Sequence, residues 1–465
     1  MKNKYRFILI LHIILTSYCH LFSQPAKHYF KNGNAKFHAK DYAGAIIEYT
    51  IAIETKPEYT EAYFRRANAK EKLKEYKEAI ADYSKAIELK SDYPEAFKDR
   101  GEAKFNLQEY AEAITDYDKA IELKPDYFTY YDRAEAKCKL NQYDEAIADY
   151  NKVLELFPID DRAYNGRGVV KLALKKYNEA IADFDQAIKL NTNNAYSYDN
   201  RGKAKDGLKK YNEAIADYTK AIEFKPNFTE AYSNRAWVRD ELMEYNEAIA
   251  DYTTAIKLNP DDAYAYNFRG ATKRRLQEDK EAIVDYDKAI ELKPDYAKAY
   301  SNRGNARRKL KEYYEANADY RKTIALNPAY SGAYIGLGLS YSEINKYDSA
   351  IYITIKGLGY DSLNPILNDN VGWFYLEQKE YDSATVYFNK CLKSNDKKLD
   401  AIIGLALLYY QRKDTLNSKK YLDEAKSADP QFDKETQNAV TLEDDVYIYS
   451  KKQRAFLDKM LNDIK

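Results

Sequence analysis

Apolar and small residues recur along this chain at spacings of three and four, the period of helices that bury one stripe and expose the rest. The stripes come in pairs, and the pairs repeat. The clearest marker is the alanine of a Tyr-x-x-Ala-Ile pattern, which falls at Ala45, Ala79, Ala113, Ala146, Ala180, Ala214, Ala248, Ala282, Ala316, Ala350 and Ala384, with Ser418 in the twelfth place. Neighbouring markers stand 34 residues apart except for one interval of 33, between Ala113 and Ala146. Counted back, the first unit opens at Ala26 and the twelfth closes at Phe432. In the unit Thr60 to Tyr93 the periodicity predicts a helix from Glu61 to Leu73, a turn around Lys74-Glu75-Tyr76 and a second helix from Lys77 to Leu89. Proline closes many of the units, at Pro57, Pro125, Pro158, Pro226, Pro260, Pro294, Pro328 and Pro430, where it cannot continue a helix and sets the entry to the next.

Thirty-four residues per unit, two helices in each, and small residues at fixed crossing points, such as Gly101, Ala113 and Ala120 of the third unit, make the chain similar to the tetratricopeptide repeat family. The resemblance covers 26–432. It implies an all-α protein, a right-handed α-solenoid of about twelve helix-turn-helix repeats, with the first helix of each repeat lining a concave surface and the second lying outside. A solenoid also needs its last apolar face covered. The tail offers Tyr449, Phe456, Leu457, Met460, Leu461 and Ile464 at helical spacing, so a C-terminal capping helix is expected within 433–465, with a docking helix for a partner as the competing role.

Eight units depart from the family pattern in a correlated way. Where the family prefers leucine ahead of the small residue of the first helix, units two to nine carry Arg66, Arg100, Arg133, Arg167, Arg201, Arg235, Arg269 and Arg303. One residue before the aromatic of the second helix, the same units carry Asp82, Asp116, Asp149, Asp183, Asp217, Asp251, Asp285 and Asp319. The co-occurrence predicts a structural ladder of pairs, within a unit or between neighbours, rather than an exposed charged stripe. Units ten to twelve revert to Leu337-Gly338, Val371-Gly372 and Leu405-Ala406 and lose the aspartates. The array is therefore expected to comprise two sub-arrays, 24–330 (repeats one to nine) and 331–432 (repeats ten to twelve).

Composition narrows the function. Lys+Arg and Asp+Glu are 74 each, so the chain lacks the cationic excess of a nucleic-acid binder. All four histidines (His12, His20, His28, His38) lie in the first 38 residues, which removes histidine chemistry from the rest. Lys2, Lys4 and Arg6, the apolar run Phe7 to Leu15 and the small residue Ser23 have the layout of a secretory signal peptide, 1–23, cut before Gln24. The run is too short to stay as a membrane anchor. Tyr18 ahead of Cys19 argues against lipid attachment there. The protein is accordingly expected outside the cytoplasm, in a periplasm, on an envelope or secreted, with no transmembrane segment after cleavage. Cys138 and Cys391 are too far apart in an elongated chain to form a bridge.

No catalytic, cofactor-binding or metal-binding constellation emerges: there is no HExxH, phosphate loop, CxxC pair or nucleophile elbow. The Gly336-Leu337-Gly338 stretch sits inside a helix, and His28 with His38 reads as a solvated pair. What a solenoid offers is a groove. Of the 48 tyrosines, those at repeat positions 4, 17 and 24 are framework, but the family resemblance places position 9, and so both Trp237 and Trp373, on the concave surface. The expected groove is aromatic in the early units (Phe30, Phe64, Phe105, Tyr131), acidic around Trp237, basic in units eight and nine (Arg274, Arg275, Arg308, Lys309) and apolar in units ten and eleven (Ile335, Leu339, Trp373). The family's carboxylate clamp is not assembled, since its first positions hold Phe30 with Asn34, Phe64 with Asn68 and Lys98 with Glu102. These features predict a non-enzymatic, exported interaction scaffold that binds an extended protein segment. The alternative is a structural or self-assembling envelope component.

Overall fold

The computed structural model describes residues 25–393, 398–428 and 459–460. The expected signal peptide, with Cys19 and the Ser23–Gln24 junction, lies outside them, as does nearly all of the expected capping helix. The described residues form helices and no strands. The chain divides into two compact units, one ending at Pro226 and the other beginning at Asn227. The switch of residue pattern at Ser331 falls inside the second.

The first unit holds α1 (25–38), α2 (Tyr42–Thr55), α3 (Thr60–Lys72), α4 (Tyr76–Leu89), α5 (Pro94–Asn106), α6 (Tyr110–Leu123), α7 (Tyr127–Lys139), α8 (Tyr143–Leu156), α9 (Asp161–Ala173), α10 (Tyr177–Leu190), α11 (Ala195–Gly207) and α12 (Tyr211–Phe224). The second holds α13 (Thr229–Glu241), α14 (Tyr245–Leu258), α15 (Ala263–Arg275), α16 (Asp279–Leu292), α17 (Ala297–Lys309), α18 (Tyr313–Leu326), α19 (Ser331–Glu343), α20 (Tyr347–Leu358), α21 (Pro365–Glu377), α22 (Tyr381–Leu392), α23 (Lys398–Gln411) and α24 (Thr415–Ala428). Odd and even helices pair into twelve repeats, and the predicted limits in the second repeat are met to within a residue.

Two local devices set this geometry. Inside repeats one to nine and repeat eleven, the alanine marker is solvent-free and the aromatic four residues later closes onto the first helix; repeat ten has Thr354 at that second position, and repeat twelve has Ser418 and Leu422 at the two. In the third repeat a Cβ on Gly101 would stand 2.7 Å from a Tyr117 ring carbon, so only glycine admits that approach. Between the two helices, the turn residue is left-handed in all twelve repeats, at φ of 55° to 65°, and none of the twelve is glycine. In the fifth repeat Lys176 N donates to Lys171 O and Lys175 N to Leu172 O, both at 2.9 Å, the paired bonds that satisfy the last carbonyls of a helix ending in a left-handed residue. A side chain in that conformation is strained by about 1 kcal/mol, partly offset by glycine's larger loss of backbone freedom. Lys175→Gly should therefore stabilise its repeat by about 0.5 kcal/mol or more, read as slower native-state hydrogen exchange in α9 and α10; faster exchange would contradict this account.

The second unit ends differently. Ser418, which replaces the alanine marker, donates from Oγ to Ala406 O at 3.0 Å, and Met460 Sδ lies 3.4 Å from the same hydroxyl. Met460 is fully buried in the cluster that runs through repeats ten to twelve. None of the helices among the described residues is long and apolar enough to cross a membrane.

Candidate functional site

The Arg–Asp ladder is a set of bidentate pairs inside single repeats. In each of repeats two to nine, the arginine of the first helix donates from Nε and Nη2 to the two carboxylate oxygens of the aspartate of the second, at 2.5 to 3.0 Å. Those aspartates are buried, with 2% to 5% of their surface exposed. Each receives a second cation that the sequence reading had missed: Lys70, Lys104, Lys137, Lys171, Lys205, Arg239, Lys273 or Arg307, at 2.7 to 2.9 Å. It stands four residues after the ladder arginine, one helical turn along, and could have been found by aligning that position across the repeats. The remaining Nη1 reaches back to the preceding repeat: Arg66 to Thr50, Arg100 to Ser84, Arg133 to Asp118, Arg167 to Asn151, Arg201 to Asp185, Arg269 to Thr253 and Arg303 to Asp287, at 2.5 to 3.1 Å. Each of the eight guanidinium groups also lies over the aromatic ring three residues earlier, 5.4 to 5.7 Å from its centroid. Buried, paired and stacked, the ladder is framework.

The remaining polar face of the first helices has two characters. In the first unit it is carboxylate-rich, with Glu71, Asp99, Glu102, Asp132 and Glu135 on α3, α5 and α7. Asn68 donates to Asp99 at 3.1 Å, Tyr83 donates to Glu71 at 2.8 Å, and Lys98 lies 3.8 Å from Asp132. Burial pushes Glu71 up to about 7, aided by Glu102 and Asp99 and opposed by the Tyr83 bond and Lys72. Burial likewise pushes Asp99 and Asp132 up to about 6, against the pull of Lys98. The early groove was expected to be aromatic, from Phe37 and Phe128 as well, but most of its rings are turned into the framework: Phe64 is 8% exposed and packs on Tyr83 and Tyr93, Phe30 packs on Tyr49 and Tyr59, Phe37 on Tyr42, Phe105 on Tyr110 and Tyr131 on Tyr150, while Phe128 stays exposed.

Glu71, Asp99 and Asp132 carry a pH prediction. Their folded pKa values lie above the unfolded carboxylate range near 4, so between about pH 4 and pH 7 the folded chain binds more protons and its stability falls as pH rises. Glu71→Gln with Asp99→Asn should stabilise the chain at pH 8 by about 1 kcal/mol after allowance for solvent screening, and by nothing measurable near pH 4. A denaturation series with the same difference at both pH values would refute the assignment.

In the second unit the corresponding face is cationic and aromatic. Trp237 on α13 is 40% exposed and meets Phe268 of α15 edge to face at 5.6 Å; the Lys298 ammonium of α17 lies 5.9 Å from that ring. Arg275 pairs with Asp240 at 2.8 Å, while Lys309 is exposed. Arg274 is half-buried and Arg308 buried, so only part of the expected basic row faces solvent. Asn302 donates to Asn267 at 3.0 Å, tying α17 to α15. Phe268 and Lys298 had not been singled out from the sequence; the exposed tryptophan on the adjoining helix is the signal that leads to them.

Three expected groove residues are core instead. Trp373 is fully buried, and Ile335 and Leu339 are 4% and 3% exposed. The reason is local: α19 and the second half of α21 are apolar on several faces, and α21 buries Asn368, Asp369 and Asn370 as well, so these helices are covered on the face that repeats two to nine leave open. Trp373 meets Phe388 edge to face at 5.4 Å. His28 is hydrogen-bonded to Asn32. Among the described residues no cluster of His, Cys, Asp and Glu could hold a metal ion. Burial raises the Cys138 thiol to about 11.

Comparison with family models agrees with the geometry. The description "Tetratricopeptide repeat" matches residues 60–93, 94–127 and 229–262 in one form, 131–195 in another and 195–228, 297–330 and 367–398 in a third, and "TPR repeat" matches 270–310. The chain belongs to the tetratricopeptide repeat family. None of the curated proteins compared matches it. Among solved structures, this tetratricopeptide repeat protein is similar to yeast Tom70 (17% identity, 89% of this chain and 99% of that one, TM-score 0.41). It is also similar to MamA (27%, 35% and 94%, 0.33) and to YrrB, described as a TPR protein with an unusual peptide-binding site (27%, 39% and 95%, 0.34).

Proposed function

We propose that the chain is a non-enzymatic protein-interaction scaffold, exported from the cytoplasm, whose first helices hold extended segments of partner proteins. The observation that carries this reading is the patch on α13, α15 and α17. There an exposed Trp237 ring, the Phe268 edge, Lys298, Arg275 and Lys309 form an open aromatic and cationic surface. Large rigid aromatics beside cations are the residues that dominate protein-binding hot spots, and cations select acidic segments. The carboxylates of α3, α5 and α7 make the first unit suited to the opposite charge.

The test is photo-crosslinking from position 237 in the full-length protein in its own cells, with and without Arg275→Glu and Lys309→Glu. The expected result is one specific partner, lost in the double variant. A crosslink indifferent to both charges, or none, overturns the reading, and self-crosslinks alone replace it with a self-assembling component.

A further inference from the structure

The seam that the ladder closes changes character at repeat ten. In repeats two to nine, the positions of the arginine, the second cation and the aspartate fill it with buried charge; in repeat ten the same three positions hold Leu337, Tyr341 and Ile353, and in repeat eleven Val371, Tyr375 and Tyr387. The position that accepts from Nη1 in the ladder is Arg321 at the end of repeat nine, and its guanidinium instead donates to the Tyr341 hydroxyl at 2.5 Å. What results is an open trough. Tyr352 on α20 is 70% exposed, although a tyrosine is large enough to be buried with profit. Depressions of about 560 and 440 Å³ flank it, the first floored by Ile351, Ile355 and Tyr375, the second by Ile324, Leu337 and Ile353. Tyr375 and Tyr387 stack beyond it with centroids 5.7 Å apart.

The inner sides of these residues pack on the apolar clusters of repeats nine to twelve, and their outer sides, with the whole Tyr352 ring, are left open where the ladder repeats present ion pairs. An aliphatic floor, aromatic walls and a charged rim are the signature of a surface meant to be covered. The rim fixes the chemistry of the cover. Arg321 and Lys356 are exposed cations that line the depression beside Tyr352, and the one rim carboxylate, Asp348, accepts from the Gln378 amide at 2.6 Å, so the rim carries a net positive charge. We propose that the seam of repeats ten and eleven is a second docking groove, separate from the Trp237 face, for a protein segment whose apolar side chains fill the depressions beside Tyr352 and whose carboxylates meet Arg321 and Lys356.

The test uses the full chain and a short fluorescein-labelled peptide alternating Glu or Asp with Leu or Tyr. Two control peptides replace the acids by lysine or the apolar residues by serine, and binding is read by fluorescence anisotropy. The acidic apolar probe should bind at least about tenfold more tightly than either control. Tyr352→Ala with Lys356→Glu, both at exposed positions and checked for unchanged helicity, should weaken it by about tenfold or more. Equal binding of the three peptides, or of the acidic probe to parent and variant, overturns the groove. So does a loss seen with Arg275→Glu and Lys309→Glu but not with the seam variant, and that outcome leaves the Trp237 face standing.

Discussion

Asp183→Ala should destabilise the fifth repeat by about 3 to 5 kcal/mol, the usual consequence of removing one partner from a buried ion pair. Asp183 is 4% exposed, accepts from Arg167 at 3.0 and 2.6 Å, and sits 2.9 Å from the Lys171 ammonium. Without it, two cations face each other in a seam that water barely enters. The compensating experiment is already written in the chain. Repeat ten fills the same three positions with Leu337, Tyr341 and Ile353, so Arg167→Leu, Lys171→Tyr and Asp183→Ile together should restore stability to within about 1 kcal/mol of the parent, since a buried ion cluster rarely outperforms well-packed apolar residues. Because a repeat array unfolds in parts, the readout is native-state hydrogen exchange in α9 and α10, supported by urea melts. A single variant costing less than 1 kcal/mol would show that the carboxylate is dispensable. A triple variant as damaged as the single one would show that the seam requires charge.

The two tryptophans should separate as cleanly. Trp373→Ala removes a ring with no solvent contact, packed edge to face on Phe388, and should cost about 3 to 5 kcal/mol. Trp237→Ala removes a ring that is 40% exposed and should cost less than about 1 kcal/mol. As the chain has 2 tryptophans, single Trp→Phe variants assign the fluorescence: the Trp237 signal should be quenched by iodide and the Trp373 signal shielded from it. Equal quenching, or equal loss of stability, would overturn the assignment of one to the surface and the other to the core.

That contrast also marks how far the sequence could be read. Helix limits, the pairing of helices and the ladder partners were legible because twelve copies in register average out local accidents: an arginine that appears eight times with an aspartate sixteen residues later states a contact. The exposure of position 9 was not legible. It follows from what surrounds the helix, and the surroundings change from the open edge of Phe268 beside Trp237 to the apolar cluster of repeats ten to twelve around Trp373. The second cation of each ladder step was hidden for another reason. With 74 lysines and arginines in the chain, one more cation on a helix surface looks like solvation until the fold brings it to the carboxylate. Asp99 and Asp132 escaped notice at a position whose occupants vary from repeat to repeat.

The backward reach of the ladder arginines has a bearing on how such an array changes its copy number. Nη1 is satisfied equally by Thr50, Ser84, Asp118 and Asn151, so a ladder repeat can follow almost any other, and unequal recombination can add or delete whole repeats there without creating a faulty joint. After repeat nine that freedom ends. A ladder repeat inserted behind Arg321 would set one guanidinium against another, so by this contact a further ladder repeat is accommodated behind the earlier repeats and not behind repeat nine.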